Sequence, residues 1–395
     1  MKGLHMCLKR LLFIILLILL LLSGCWDQKE LDQLSLVVGV GLDWDPKNKQ
    51  IKVSNQITKP SGMQSSNGGG GGAGGGGGGG KEPTVIIQTS NKTVFGAIRM
   101  ATFENSRKLN FTHNEIVIIG KSAGKHGIGP FLDFFVRDSE PRPTQIILYT
   151  DGEAKKVLEA KPEIEKATAV EIRKMIDNNN LTSEVERVIL QDLIEMLISK
   201  SRSATLPMVE VKNSKTGQHP ALNGTAVFKK DIFAGKLDHQ ETRGLLWITG
   251  KVQSGIIDIP SKEGALAIEI IEASGKFKPL LKNGKMMVEI EVKMEGNIGA
   301  EMTPMGTENP DGLKKLQRKI EAVVRGEVLS AVIKAKKLKA DIFGFGEAFR
   351  RKYPKEWQSM EPRWEELFPK VKVNLKVKAV IRRSGETLKP IYAKK

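Results

Sequence analysis

Cysteine is nearly absent from this sequence. Two occur in 395 residues, Cys7 and Cys25. Cys7 falls in a leader that is removed, and Cys25 is assigned a different chemistry below. The mature chain is therefore expected to hold no disulfide, and burial of a core must supply its stability. The same scarcity excludes thiolate metal sites and a cysteine nucleophile. Histidine is sparse too. His113, His126, His219 and His239 lie beyond the leader and show no metal-ligand spacing. His113 beside Asn114 is read as a structural histidine in preference to a binding group. No convincing Gly-x-Ser-x-Gly elbow is present. The pairs Asp43/Asp45 and Glu289/Glu291 alternate along strands and are read as solvated surface rather than as acid–base pairs. No catalytic residue, cofactor or metal is expected, and the chain is not read as an enzyme.

Long apolar runs are also missing, with one exception. Leu11 to Leu22 is an unbroken run of twelve apolar residues behind a basic start, Lys2, Lys9 and Arg10. As a helix it would rise roughly 18 Å, too little for a bilayer core of about 30 Å. It has the length of a signal-peptide apolar segment. Leu22-Ser23-Gly24-Cys25 follows at once. Small residues at 23 and 24 suit a peptidase, and the Cys25 thiol can accept a lipid. Cleavage at Gly24-Cys25 would leave S-diacylglycerol and N-acyl groups (palmitate is one such acyl) on Cys25. An ordinary signal peptide with a chance cysteine is the alternative. The lipidated reading places the chain on the outer face of a cell membrane.

Charge is distributed unevenly. Residues 25–311 are balanced, with 36 basic against 36 acidic residues. Residues 312–395 carry 23 Lys and Arg against 9 Asp and Glu, a net charge of +14. Export argues against nucleic acid. Anionic lipid headgroups or an acidic partner surface remain as counterparts, beside a plain solvated surface.

Twelve glycines around Ala73 occupy 68–80. With 61–67 they read as a flexible loop inserted inside a domain. They are not a phosphate cradle, because Lys81-Glu82-Pro83 supplies no Lys-Ser/Thr pair. Gly39-Val40-Gly41 is half of a dinucleotide fingerprint, but Trp44 stands where the third glycine belongs. These glycines are read as letting a strand pack closely.

Strands are expected at 36–42, 51–58, 84–88, 115–119 and 145–149. Helices are expected at 93–104, 130–137, 166–178 and 184–199. Short strands at 208–211 and 225–228 follow, with a turn at Ala234-Gly235. Clean period-two alternation marks 266–270, 288–294 and 371–379, with a long helix over 312–338 and an aromatic-rich helical segment around Phe343, Phe345, Phe349 and Trp357. Trp357 and Trp364 suit either core packing or an exposed docking patch. The fold class is α+β in three mixed domains, the last an antiparallel sheet packed with helices. The divisions are 1–24, the leader; 25–203, an N-terminal α/β domain with the glycine-rich loop 61–82; 204–261, a small middle domain; and 262–395, a basic C-terminal α+β domain.

Several segments together resemble one family. These are Cys25-Trp26-Asp27; Phe111-Thr112-His113-Asn114; Gly224-Thr225-Ala226-Val227-Phe228; Gly244-Leu245-Leu246-Trp247; and Asp341-Ile342-Phe343-Gly344-Phe345-Gly346, running on to Tyr353-Pro354, Trp357 and Trp364. The resemblance is to the Ger(x)C family, the lipoprotein subunits of spore germinant receptors. It implies a three-domain lipoprotein at the spore inner membrane, needed for nutrient-triggered germination. It also implies contacts with integral membrane subunits, one of them transporter-like. Only Cys25 carries over as a defined functional residue. The glycine tract departs from the family's usual loop. A solute-binding lipoprotein of an uptake transporter and a lipoprotein enzyme of the envelope are the rivals.

Overall fold

Strands buried over most of their length organise the first half of the chain. A computed structural model describes residues 33–59, 83–215, 217–261, 264–302 and 309–383, with 5–6 and 11–13 from the leader. β1 (Leu34–Asp45), β2 (Gln50–Thr58) and β3 (Thr84–Asn91) form an antiparallel meander. The β2–β3 register closes at Thr58↔Thr84, and Lys59 N–H donates to Pro83 C=O at 2.8 Å. The glycine tract is thus inserted at a hairpin tip; its own residues lie outside the described ones. β4 (Lys108–Asn110), β5 (Ile116–Ile119) and β6 (Ile146–Tyr149) are parallel to β1 or to one another. β5 and β6 are fully buried, as parallel strands covered on both faces must be.

Two layers of helices cover this sheet. On one face lie α1 (Val94–Met100), α2 (Lys121–His126), α3 (Gly129–Arg137) and α6 (Leu190–Ile198), which pack on Val40, Leu42, Val117, Ile119, Ile147 and Tyr149. On the other lie α4 (Ala154–Glu159) and α5 (Thr168–Asn178), which pack on Val38, Ile116, Ile118, Ile146 and Leu148. A Cβ at Gly39 would lie 2.6 Å from Ala169 Cβ, and one at Gly41 would lie 3.1 Å from Ala154 Cβ. The two glycines therefore serve close strand–helix packing. The helix expected from 184 starts at 190, because 184–189 is extended: Val185 and Val188 enter the core, and Ile189 bridges Ile146. Asn179 Oδ1 holds the start of that segment by accepting from the N–H of Glu184 and Val185.

Residues 204–261 are divided between the two sheets. β7 (Thr205–Ser214), β8 (Gly217–Lys229) and β9 (Ile232–Leu237) extend the first sheet to nine strands. The turn joining β8 to β9 lies at Lys230-Asp231, with Lys230 at φ 56°, and not at Ala234-Gly235, which belong to β9. α7 (His239–Thr249) crosses to the second sheet, and β10 (Gly255–Ser261) opens it. β11 (Gly264–Lys282) and β12 (Lys285–Glu301) continue it antiparallel. β13 (Lys372–Arg383) joins β12 in parallel, since the intervening helices return the chain to the starting end. The long α8 (Pro310–Leu338) covers the inner face, with Leu316, Ile320, Val324, Val328, Ala331 and Ala335 against Ile268, Ile290 and Val292. Leu329 of the same helix lies off that stripe and is 37 % exposed. α9 (Phe345–Lys352), α10 (Pro354–Met360) and α11 (Trp364–Leu367) complete the layer. Trp357 and Trp364 are buried at 3 % and 4 % exposure, which rules out the docking patch and leaves core packing.

Candidate functional site

Where α7 meets α8, two helices approach until only glycine fits. A Cβ on Gly244 would sit 2.1 Å from the carbonyl oxygen of Glu327. That contact places Glu327, 2 % exposed, against α7. Its carboxylate accepts from Trp247 Nε1 at 2.8 Å and from Arg243 Nε at 3.0 Å, with a second, shorter bond from Arg243 Nη2. Arg243 Nη1 reaches Glu184 at 3.3 Å and the carbonyl of Ile256 at 3.1 Å. Burial alone would lower the guanidinium pKa, but Glu327 and Glu184 hold it above its ordinary value. Nearby, Lys251 Nζ pairs with Glu186 at 2.8 Å, and Thr205 donates to the same carboxylate at 2.6 Å. Burial opposes ionisation of Glu186, yet Lys251, Thr205 and Arg202 keep its pKa below the usual carboxylate value. Glu184 and Glu186 come from the extended segment of the first sheet's unit, Arg243 and Lys251 from α7 and its exit, Glu327 from α8. The junction of the two sheets is thus stitched by ion pairs in low dielectric.

A second tie lies at the Phe-Gly-Phe-Gly segment. Asp341, 3 % exposed, accepts backbone N–H bonds from Phe343, Gly344, Phe345 and Gly346 at 2.7–3.3 Å, and one from Trp364 Nε1 at 3.1 Å. Burial pushes its carboxyl up to about 6 against the pull of those donors. Gly344 takes φ 80°, the left-handed region that glycine tolerates. A Cβ on Gly346 would lie 2.6 Å from Ser201 Cβ. Ser203 N–H donates to Asp341 C=O at 2.8 Å, and Ser199 Oγ to Glu347 at 2.8 Å. A cavity of about 520 Å³ between 196–203 and 361–368 borders this contact.

At the carboxyl ends of β1, β5 and β6 lies a cleft of about 680 Å³, lined by Trp44, Lys121, Lys125, His126, Glu153 and Lys156 among others. Here α2 leaves on one face and α4 on the other, the place where open α/β sheets form crevices. Trp44 stacks on His126 at 3.8 Å. Lys121 is paired with Asp151 and Lys156 with Glu153. Asp43 lies behind the cleft and is not solvated, contrary to the expectation for it. It is 5 % exposed and accepts from Ala154 N–H at 3.0 Å and Ser122 Oγ at 3.4 Å. Burial pushes its carboxyl up to about 6. Asp45 caps the following turn by accepting from the N–H of Lys47 and Asn48. Glu289 and Glu291 are exposed, as expected.

The remaining candidates are scattered. His113 and His239 are exposed, and His219 lies 4.0 Å from Glu163. Among the described residues no group of three His, Cys, Asp or Glu side chains could hold a metal. Cys25 lies outside the described residues. The sequence reading missed Arg243, Glu327 and Asp341. Glu327 had a signal: it interrupts the apolar stripe of α8 at a buried register position. Asp341 had one too, an acidic residue three before a glycine in the Phe-Gly-Phe-Gly segment.

Comparisons with known proteins agree along the whole chain. Residues 27–211 match the family described as "Spore germination protein N-terminal domain", and 223–385 match "Spore germination B3/ GerAC like, C-terminal". Spore germination protein KC of Bacillus subtilis (strain 168) is 27 % identical over 96 % of this chain and 96 % of its own length. Spore germination protein A3 of the same organism is 26 % identical over 93 % of this chain and 95 % of its own. A solved crystal structure of the GerBC protein superposes with a TM-score of 0.56 at 17 % identity, covering 87 % of this chain and 96 % of that one, which shows a shared α+β fold.

Proposed function

This chain belongs to the Ger(x)C family of spore germination proteins, and on that premise we propose that it is the membrane-anchored, non-catalytic C subunit of a nutrient germinant receptor. One observation carries the reading: the similarity to spore germination proteins runs end to end, over 96 % of both chains for one relative. The family role favours this reading over a solute-binding lipoprotein of an uptake transporter. A signal peptide cut before Cys25 and acyl chains on Cys25 would hold the protein at the outer face of the spore inner membrane. More than one acyl chain gives stable anchoring, whereas one is marginal. Integral membrane subunits, one transporter-like, are the proposed partners, and protein–protein contact is the proposed mode of action. Among the described residues no helix is long and apolar enough to cross a membrane.

The basic C-terminal region is assigned to anionic headgroups or an acidic partner surface. On the outer face of the second sheet, lysines stand opposite glutamates: Lys278 with Glu289, and Lys276 and Lys376 with Glu291. Half of the excess, +7, lies in residues 312–370, for example at Lys314, Lys315 and Lys319 on α8 and Arg350, Arg351 and Lys352 on α9, all exposed, and the other +7 in residues 371–395. Liposome binding indifferent to both anionic lipid and salt would remove the headgroup version.

Deleting the gene tests the main reading. Spores would be challenged with single nutrients and with a trigger that bypasses receptors. Loss of one nutrient response with the bypass intact is expected, and Cys25→Ala should weaken the same response. Normal germination on every nutrient, in a strain lacking redundant receptors, would overturn it.

A further inference from the structure

The helical layer over one face of the first sheet carries large apolar side chains in water, with Phe103 nearest the end from which β1 starts. Phe103 is 81 % exposed, Val136 56 %, Phe95 47 % and Met100 41 %. Phe95 and Met100 lie on α1, Phe103 on the short 3-10 turn after it (Ala101–Phe103), and Val136 on α3. Phe95, Met100 and Phe103 lie on successive turns of one helical stretch, and α3, which carries Val136, packs beside it. Phe95 packs on Phe134 of α3 at 6.2 Å between ring centroids, and the Arg99 guanidinium lies 4.8 Å from the Phe95 ring. The surface is fixed to the start of β1. Asn105, two residues past Phe103, donates from Nδ2 to Ser35 Oγ at 3.0 Å, and β4 pairs with Leu34, Ser35 and Leu36.

Position along the chain then identifies what covers it. Eight residues separate Cys25 from Leu34. However they fold, they reach no further than about 30 Å. An anchor at Cys25 therefore confines this end of the sheet to the immediate neighbourhood of the bilayer. Aromatic and long aliphatic side chains in such a place partition into the boundary between headgroups and acyl chains. Arg99 and Arg107 flank the patch, and phosphate oxygens complement them, whereas Glu104 and Asp138 offset part of that charge. Apolar contact is thus the larger contribution.

We propose that this end of the molecule beds in the membrane surface. Phe103 enters the headgroup–acyl boundary, Phe95, Met100 and Val136 surround it, and Arg99 and Arg107 meet lipid phosphates. The proposal rests on the anchored reading of Cys25. It adds a defined orientation: β1 runs away from the bilayer for about 40 Å over its twelve residues, so the Trp44–His126 cleft opens toward water at the far end.

The shortage of cysteine makes the test direct, because lipidation consumes the one thiol of the mature chain. The full lipidated chain bearing Phe103→Cys would be labelled with an environment-sensitive nitrobenzoxadiazole probe. It would then be placed on vesicles of equal phosphatidylglycerol and phosphatidylcholine. Val136→Cys serves as a second site, and Ile333→Cys, on α8 and 67 % exposed, as the control. Lipids carrying a doxyl group just below the headgroups should quench the probe at 103 and 136 at least threefold more than at 333. Equal quenching at all three sites in a chain that floats with the vesicles would overturn the docking and leave the anchor standing. Quenching at 103 and 136 that is lost once integral subunits are added would assign the patch to a protein, not to lipid. A chain that fails to float would remove the anchored reading, and this proposal with it.

Discussion

Removing the carboxylate of Glu327 should cost about 3–5 kcal/mol of stability, the range for breaking one partner of a buried ion pair. The structure says why the cost falls there. In Glu327→Ala, Arg243, whose side chain is 12 % exposed, keeps only Glu184, itself 39 % exposed, as an acidic partner. Trp247 Nε1 loses its acceptor inside the core, which alone costs about 1–3 kcal/mol. Glu327→Gln keeps the volume and one acceptor, so about half the loss is expected. Replacing both partners, Arg243→Met with Glu327→Met, should recover much of it, because apolar groups of similar size need no counter-charge. Urea unfolding of wild type, Arg243→Met, Glu327→Met and the double variant, followed by tryptophan fluorescence and far-ultraviolet circular dichroism, measures all four corners of that cycle. A Glu327→Ala protein within 1 kcal/mol of wild type, or single effects that add within about 0.5 kcal/mol, would refute the argument that this charge cluster holds the junction.

Other perturbations probe separate parts of the argument. Asp43 has a folded pKa of about 6, above its unfolded value near 3.9, so the folded state holds the extra proton and stability falls as pH rises from 4 to 6. Asp43→Asn should therefore gain up to about 3 kcal/mol relative to wild type between pH 4 and pH 7; a difference independent of pH would contradict it. Gly346→Ala should destabilise by about 1–3 kcal/mol through overpacking on Ser201 and Trp364. Gly326→Ala, in open space on α8, should instead stabilise by about 0.5–1 kcal/mol. Equal effects at the two sites, read from urea midpoints, would show that close packing is not what Gly346 provides. Deleting 68–80 should leave the fold intact and raise stability by about 0.6 kcal/mol, since the loop between Lys59 and Pro83 becomes roughly half as long. A loss of stability there would mean that the tract makes contacts of its own.

Much of the fold was legible because its signals are local. Period two in Val288, Ile290, Val292 and Met294 reports a sheet with one wet face, and those four residues are indeed the buried ones. The two glycines of β1 were readable as packing devices from the absent third glycine alone. What failed was non-local. The segment 184–189 has the same residue types as the helix that follows, and only its pairing with Ile146 and the caps from Asn179 keep it extended. Asp43 looks like turn surface by sequence, and it is buried because α4 approaches from a distance of 111 residues. That β7, β8 and β9 extend the first sheet is invisible in their composition. The ion pairs at the junction join residues 59 to 84 positions apart, which no spacing rule can reveal.

Those long-range pairs bear on how the proposed receptor subunit could act. α7 packs on β8 of the first sheet and on β11 and β12 of the second, so it belongs to both. Sliding one sheet past the other would break the Glu184–Arg243–Glu327 and Glu186–Lys251 contacts and uncover buried charge, at several kcal/mol for each cluster. A hinge at this junction is therefore expensive. Motion of the whole described body relative to the bilayer leaves those ion pairs intact and costs instead the withdrawal of Phe103 and its neighbours from the membrane surface. In the proposed receptor, a conformational change in an integral partner would then tilt or lift this body as one piece. The Glu327 substitutions separate the two modes, because they loosen the junction while leaving the anchor unchanged.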